Sequence, residues 1–397
     1  MKAMSDITLE ELKKALVNNE FIYYYQPKVS MITGKICGAE ALIRWQKPDG
    51  KIIPPFEFIP LAESSGFINE ITLAMFHKLI IDMAIIHDVG DSLIISFNAS
   101  AIDFLNNKLI ENIQHVIKSK IITPDMLEVE LTETAILSEN EYVKQQLNTL
   151  HNMGVGLAMD DFGTGYSSID TLSKYHFNVI KIDHGIVGRM EHSEKDAIIV
   201  QTSIELVHEL GLDIVAEGIE TENCFQALLG SGCTIGQGYW FSRPIPLDQF
   251  IDLIKLDKTW TGALIGVTYQ AQLDHIKWRQ AIIDGLFYIT SRKDMNTHLR
   301  GSPELDPTKC RLGKWFHGPG IKFINKKWYD ELETHHISLH RIGAELLESA
   351  RQGTPKNILM PKVRQLSEES IIIINILQEV GNELLITSSV HDPEPVK

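Results

Sequence analysis

Residues 155–165 read Val-Gly-Leu-Ala-Met-Asp-Asp-Phe-Gly-Thr-Gly. An apolar run ends in two adjacent acids, Asp160 and Asp161, and a glycine-hinged loop follows. The run reads as a buried strand that delivers two carboxylates at its carboxyl end. Carboxylates bunched this way repel, so the pattern calls for cations. A pair of divalent ions acting on a phosphate is the usual arrangement. An ordinary Asp-rich turn after a strand is the bland alternative, and this stretch alone does not decide between them.

Working outward, the same texture repeats. Strand patterns fall at 21–26, 36–44, 93–98, 127–131, 156–160, 179–183, 214–217 and 236–241. Helical patterns fill the gaps, most clearly over 71–89 and 197–210, with apolar residues three or four apart. Eight strand–helix alternations predict a modified TIM (β/α)8 barrel, an α/β fold. An open doubly wound sheet would show a glycine-rich phosphate loop after its first strand, and none is present. Past residue 256 the strand patterns stop, and helical patterns cover 270–287, 322–349 and 361–384. The spacing of Trp328, Leu332, Leu339, Ile342 and Leu346 keeps one apolar face. The expected organisation is a barrel over 1–257, a linker over 258–267, an all-α four-helix bundle over 268–388 and a disordered tail over 389–397.

Composition narrows the class. The 397 residues are 44% hydrophobic and 22% charged, enough apolar content for a sizeable core. With 37 basic and 52 acidic side chains the net charge is −15. That balance argues against nucleic-acid polymers and anionic membranes as partners. An anionic substrate would then need local positive charge, which metal ions can supply. No leader pattern and no long apolar stretch indicates export or membrane spanning, so a cytoplasmic location is expected. Cys37, Cys224, Cys233 and Cys310 are scattered, as reduced thiols would be.

The strand ends carry the chemistry. The second strand holds Glu40 and Arg44, the third ends in Asn98, and the fourth holds Glu130 with Glu133 just beyond. Asp160 and Asp161 end the fifth, Lys181 and Asp183 the sixth, Glu217 the seventh with Glu220 beyond, and Gln237 lies in the eighth. In a parallel barrel these ends open on one face, where such folds place their active sites. One polar strand end is unremarkable, but seven in succession after apolar runs imply bound cations, because buried unpaired carboxylates are costly. An all-oxygen donor set suits Mg²⁺ or Mn²⁺ better than zinc or copper. Lys181 is the cation inside the acid cluster, either orienting an attacking water or forming a structural ion pair. The Arg44 guanidinium fork is suited to gripping a phosphate oxygen. His184 is expected to point outward.

These residues resemble a known family. Glu40-Ala41-Leu42-Ile43-Arg44-Trp45 is similar to the signature of the EAL family of bacterial cyclic di-GMP phosphodiesterases. Tyr25-Gln26-Pro27, the segments 58–63, 130–134, 160–168, 181–183 and 216–221, and Gln237-Gly238-Tyr239 resemble further family motifs in order. The likeness covers about residues 6–255. It implies Glu40, Asn98, Glu130, Asp160, Asp161 and Glu217 as ligands of two Mg²⁺ or Mn²⁺ ions. It implies Lys181 and Gln237 as the residues that place the catalytic water, with Glu40 between metal and reaction. Glu133 would hold the 160–168 loop, with Glu220 a supporting acid, and Gln26, Leu42, Arg44 and Gln237 would contact the substrate. The implied reaction opens one phosphodiester of cyclic di-GMP to give linear pGpG. Thr234 and Asn178 depart from the family pattern at positions that are not ligands.

A second constellation lies in the bundle. His275, Cys310, and the pair His336 and His340, four apart on one helix face, make a satisfactory tetrahedral zinc set. Histidines satisfied in the core or exposed on the surface are the plain alternative. The segments resemble the chemoreceptor zinc-binding family over about residues 268–385, which implies one Zn²⁺ on these four residues. His335 sits about 100° round the helix from His336 and does not make the four-residue pair with His340. His317 has no matching family position. The combined expectation is a homodimeric cyclic di-GMP hydrolase tuned by zinc or by Cys310 oxidation. Its competitors are a silent receptor for the same ligand, an enolase-like barrel with Lys181 as base, and a structural zinc protein with the barrel as platform.

Overall fold

The computed structural model describes residues 7–31, 33–90, 92–132, 140–163, 172, 174–260, 263–291, 303–317 and 324–388. The chain divides into two compact units, residues 1–30 with 35–259, and residues 31–34 with 260–397. Glu133 and the expected tail, 389–397, lie outside the described residues.

In the first unit the strands are β1 (Phe21–Ser30), β2 (Ile36–Gln46), β3 (Ile52–Ile53), β4 (Ile94–Asn98), β5 (Leu127–Thr132), β6 (Gly156–Phe162), β7 (Val179–Ile182), β8 (Asp213–Ala216), β9 (Ile235–Gln237) and β10 (Ile245–Pro246). The order β1-β9-β8-β7-β6-β5-β4-β2, with β2 pairing back onto β1, closes an eight-stranded barrel. All eight expected strands are in that ring. The two-residue β3 and β10 pair antiparallel outside it, on β2 and β1. One feature corrects the expectation of an all-parallel ring: β1 runs antiparallel to both its neighbours, β2 and β9. Residues 31–35 are too few for the crossover that a parallel neighbour requires, so β1 and β2 form a hairpin.

The helices between strands cover the barrel. On the helix Ile68–His87 the buried residues Ile71, Met75, Phe76, Leu79 and Met83 repeat at helical spacing. Two polar residues just past strand ends, Asp183 and Thr221, serve local structure. Asp183 caps the short helix over His184–Arg189, its carboxylate accepting from Gly185 N at 3.0 Å. Thr221 caps the helix over Glu222–Gly230. The two departures from the family pattern are likewise structural: Asn178 Oδ1 accepts from Leu157 N at 3.0 Å, and Thr234 Oγ1 donates to Ile214 O at 3.2 Å.

The second unit is helical. Its long helices cover Ala263–Ser291, Lys326–Arg351 and Lys356–Ser388, and a short one covers Arg311–Phe316. Ile282, Leu332, Leu339, Leu346, Leu366, Ile373 and Leu377 are fully buried between them. Gly343 lets two helices approach closely, because a Cβ there would sit 2.6 Å from the Trp278 ring.

Candidate active site and candidate metal centre

The crater of the barrel is built by register and alternation. Inward-facing residues on adjacent strands stand level: Gln26 beside Glu40, Glu40 beside Ser96, and Asn98 beside Glu130. β6 then bulges between Met159 and Phe162, with Asp161 at φ 60°, before Phe162 pairs again with Ile182 of β7 and Gly163 follows at φ 98°. A left-handed aspartate is uncommon, and here it turns the chain so that Asp160 and Asp161 both line the crater. The cavity holds about 1090 Å³. Glu40, Asn98, Asp160, Asp161, Glu217, Gln26, Leu42 and Gln237 all border it, as does Glu220.

Lys181 sits fully buried beneath this floor. Its ammonium contacts Glu217 at 2.7 Å, Glu40 and Asp160 at 3.3 Å each, and Glu130. Glu40 is further held by Asn98 Nδ2 at 2.6 Å and by Gln237 Nε2 at 2.7 Å, and Gln237 also donates to Gln26 Oε1 at 3.1 Å. A second buried lysine, Lys28, lies outside the pattern of polar strand ends. Lys28 donates to Glu128 at 2.7 Å and to Glu130 at 2.8 Å. The signal was available, because Lys28 lies two residues past Gln26 and Glu128 two before Glu130, the period of a strand face.

Five carboxylates thus surround two ammoniums. The imbalance shows in how several of these groups titrate. Burial pushes Glu217 up to about 8, with Asp160 and Glu40 adding to it against the pull of Lys181. Burial and neighbouring acids also raise Glu40 and Asp160. Glu130 is the exception: burial opposes its ionisation, but Lys181 and Lys28 outweigh that and hold it well below the usual carboxylate range. Burial works against the Lys181 charge too, and the acids around it prevail. A cluster of hard oxygen donors short of positive charge fits divalent cations of the magnesium and manganese kind.

Other expected residues fall elsewhere. Arg44 is not among the cavity-lining residues. Its guanidinium lies 5.8 Å from the Tyr24 ring centroid and donates to Ile43 O at 2.9 Å. His184, expected to point outward, borders the crater, its exposed ring beside Asp183 at 3.1 Å.

In the bundle, Cys310, His336 and His340 bring their donor atoms within 4.8 Å of one another. Cys310 Sγ lies 3.3 Å from His336 Nε2 and accepts from Gly313 N at 3.2 Å. His340 Nδ1 donates to Leu305 O at 3.1 Å, the second-sphere bond that leaves Nε2 available as a ligand. The His275 ring centroid is 6.3 Å from that of His336, and its buried Nε2 has no hydrogen-bond partner. Burial pulls both His275 and His336 down to about 3, so both are neutral, the form that ligates metal. An orphaned imidazole nitrogen beside a thiol and two imidazoles fits zinc. His335 faces another partner, Glu369, at 2.7 Å, and His317 contacts the Tyr329 hydroxyl at 3.5 Å.

Comparisons with known proteins agree with this division. The EAL domain model matches residues 9–244, and the chemoreceptor zinc-binding domain model matches 275–347. The signaling protein YkoW of Bacillus subtilis is 37% identical over 243 residues, 61% of this chain and 30% of that protein. The cyclic di-GMP phosphodiesterase RocR of Pseudomonas aeruginosa is 33% identical over 245 residues, 62% of each chain. Among solved structures, the PaMucR phosphodiesterase in its c-di-GMP complex is similar with a TM-score of 0.58 and 35% identity, covering 61% of this chain and 98% of that one. The chain spans less than two thirds of the length of the curated relatives it matches. Among the described residues, no helix is long and apolar enough to cross a membrane.

Proposed function

The chain belongs to the EAL domain family, and from that premise we propose that it hydrolyses cyclic di-GMP to linear pGpG. The observation that carries this reading is the convergence of Glu40, Glu130, Asp160 and Glu217 on Lys181 at the floor of a cavity large enough for a dinucleotide. Two Mg²⁺ or Mn²⁺ ions on Glu40, Asn98, Glu130, Asp160, Asp161 and Glu217 would supply charge neutralisation and an acidified water. The chain's own groups do the rest. Asn98 and Gln237 hold Glu40 in one orientation, and Gln26 steadies Gln237, so the carboxylate loses little freedom on reaching the transition state. Lys181 orients the attacking water and offsets charge that develops on the phosphate oxygens. Water forms the new P–O bond in line with the bond that breaks to the 3′ oxygen, which leaves as a hydroxyl. Leu42 and the apolar wall of the cavity at Ile59 and Ile71 receive the bases. Arg44 would have to swing off Tyr24 to reach a phosphate. Glu133 retains its inferred role of holding the loop after Asp161.

For the bundle we propose one Zn²⁺ on His275, Cys310, His336 and His340, with zinc occupancy or Cys310 oxidation tuning turnover in a cytoplasmic homodimer. The deciding experiment incubates the pure protein with cyclic di-GMP and Mg²⁺ or Mn²⁺ and follows the linear product by chromatography. Glu40→Ala should lower the rate by about 100–1000-fold while the fold survives. Tight binding of the dinucleotide without product, in excess Mn²⁺, would leave a silent receptor instead.

A further inference from the structure

Glu130 is held at both oxygens. Lys181 takes Oε2, and Lys28 donates to Oε1 at 2.8 Å. Lys28 in turn is anchored by Glu128 Oε1 at 2.7 Å, and all three side chains are buried. The backbone is arranged for this contact. The β1–β2 register shifts between Lys28 and Val29, a bulge of the kind that re-aims a side chain beside an active site. Across β1, Lys28 stands level with Gln237 of β9, so both flanking strands of the antiparallel strand converge here. On β2, opposite Lys28, Gly38 sits where a Cβ would lie 2.2 Å from Ile94 O of β4, so β2 and β4 meet too closely at this level for any side chain.

We propose that Lys28, anchored by Glu128, is a positioning residue that fixes Glu130 Oε1 and so reserves Oε2, which Lys181 holds in this fold, for the cations of the site. The inference rests on the metal-dependent reading of the site and deepens it. A carboxylate with one oxygen pinned from behind cannot rotate away or bind an ion with both oxygens. Partners of this kind set ligand orientation, and their removal commonly costs about 10–100-fold in metal affinity.

The alternative is that Lys28 only neutralises Glu128 and Glu130 for the sake of folding. The two are separated with the full-length, zinc-loaded chain, reading Mn²⁺ binding by electron paramagnetic resonance and unfolding by calorimetry. Lys28→Met leaves both acids without that cation and should lower both the melting temperature and the Mn²⁺ affinity. The double variant Lys28→Met with Glu128→Gln also removes the stranded charge. Melting temperature should then recover while Mn²⁺ affinity stays about 10–100-fold down. Recovery of both would overturn the proposal. Should the methionine variants not fold, Glu128→Ala decides. It keeps the cation but frees it, and an unchanged Mn²⁺ affinity there would equally overturn the idea. Wild type that binds no divalent ion in the barrel would defeat the parent reading, and it is told apart because it appears before any substitution is made.

Discussion

The crater and the bundle centre both gather donors out of water, and they solve the cost in opposite ways. In the crater the donors are charged, and two ammoniums partly balance them, so burial and mutual repulsion raise most of the acids. In the bundle the imidazoles are neutral, kept so by burial, and one buried nitrogen is left unpaired. The difference teaches which ion each centre suits. Hard oxygen anions in excess suit magnesium-like cations, while a thiol with neutral imidazoles suits zinc.

The strongest way to break the comparison is Lys181→Met. If Lys181 balances the crater, the metal-free protein should lose about 3–5 kcal/mol, because four acids lose a shared buried partner. Calorimetry should also show Mn²⁺ rescuing this variant more than wild type, and equal destabilisation with and without Mn²⁺ would argue against the charge deficit. The link to turnover is next. Removing zinc with a chelator, or substituting Cys310→Ala, should move the hydrolysis rate by at least about fivefold if the coupling is of ordinary size. Identical rates for both proteins with and without chelator would remove the regulatory role and leave the hydrolase intact.

The two centres should also respond to pH with opposite sign. Glu217 titrates near 4.5 when unfolded and near 8 in the fold, so the folded state binds the extra proton between those values. Its contribution is present below about 4.5 and lost as pH rises toward about 8 in metal-free protein. His275 and His336 fall from about 6.5 to about 3, so their contribution is present above about 6.5 and lost as pH falls toward about 3. Separate melting transitions followed from pH 4 to 9, about the span of these values, should shift in opposite directions. A common direction would show that one assignment is wrong. The smallest effect is expected at His335→Ala. Its partly exposed pair with Glu369 is worth less than about 1 kcal/mol, and zinc affinity should not change. A large loss of zinc would exchange the roles of His335 and His336.

Much of this was legible in one dimension. Apolar runs marked all eight ring strands, because a strand buried on both faces must be apolar along its length, and polar residues at seven of the strand ends marked the crater. The four-residue spacing of His336 and His340 marked a shared helix face, and helical phase separated His335 from them. The two-residue β3 and β10 were missed, since so short a pairing leaves no period to read. The Arg44 guanidinium rests on Tyr24, a contact between neighbouring strands that no spacing announces.

The amino-acid order by itself determined which elements form and which donor atoms the chain carries, because periodicity and residue chemistry are local properties. Only the tertiary structure decided that β1 runs against its neighbours, that Lys28 shares Glu130 with Lys181, and that His275 keeps an unpaired nitrogen near Cys310, His336 and His340. Those facts depend on how strands and helices distant in sequence meet, and the energy of a buried charge or an unpaired nitrogen is set by whatever lies against it.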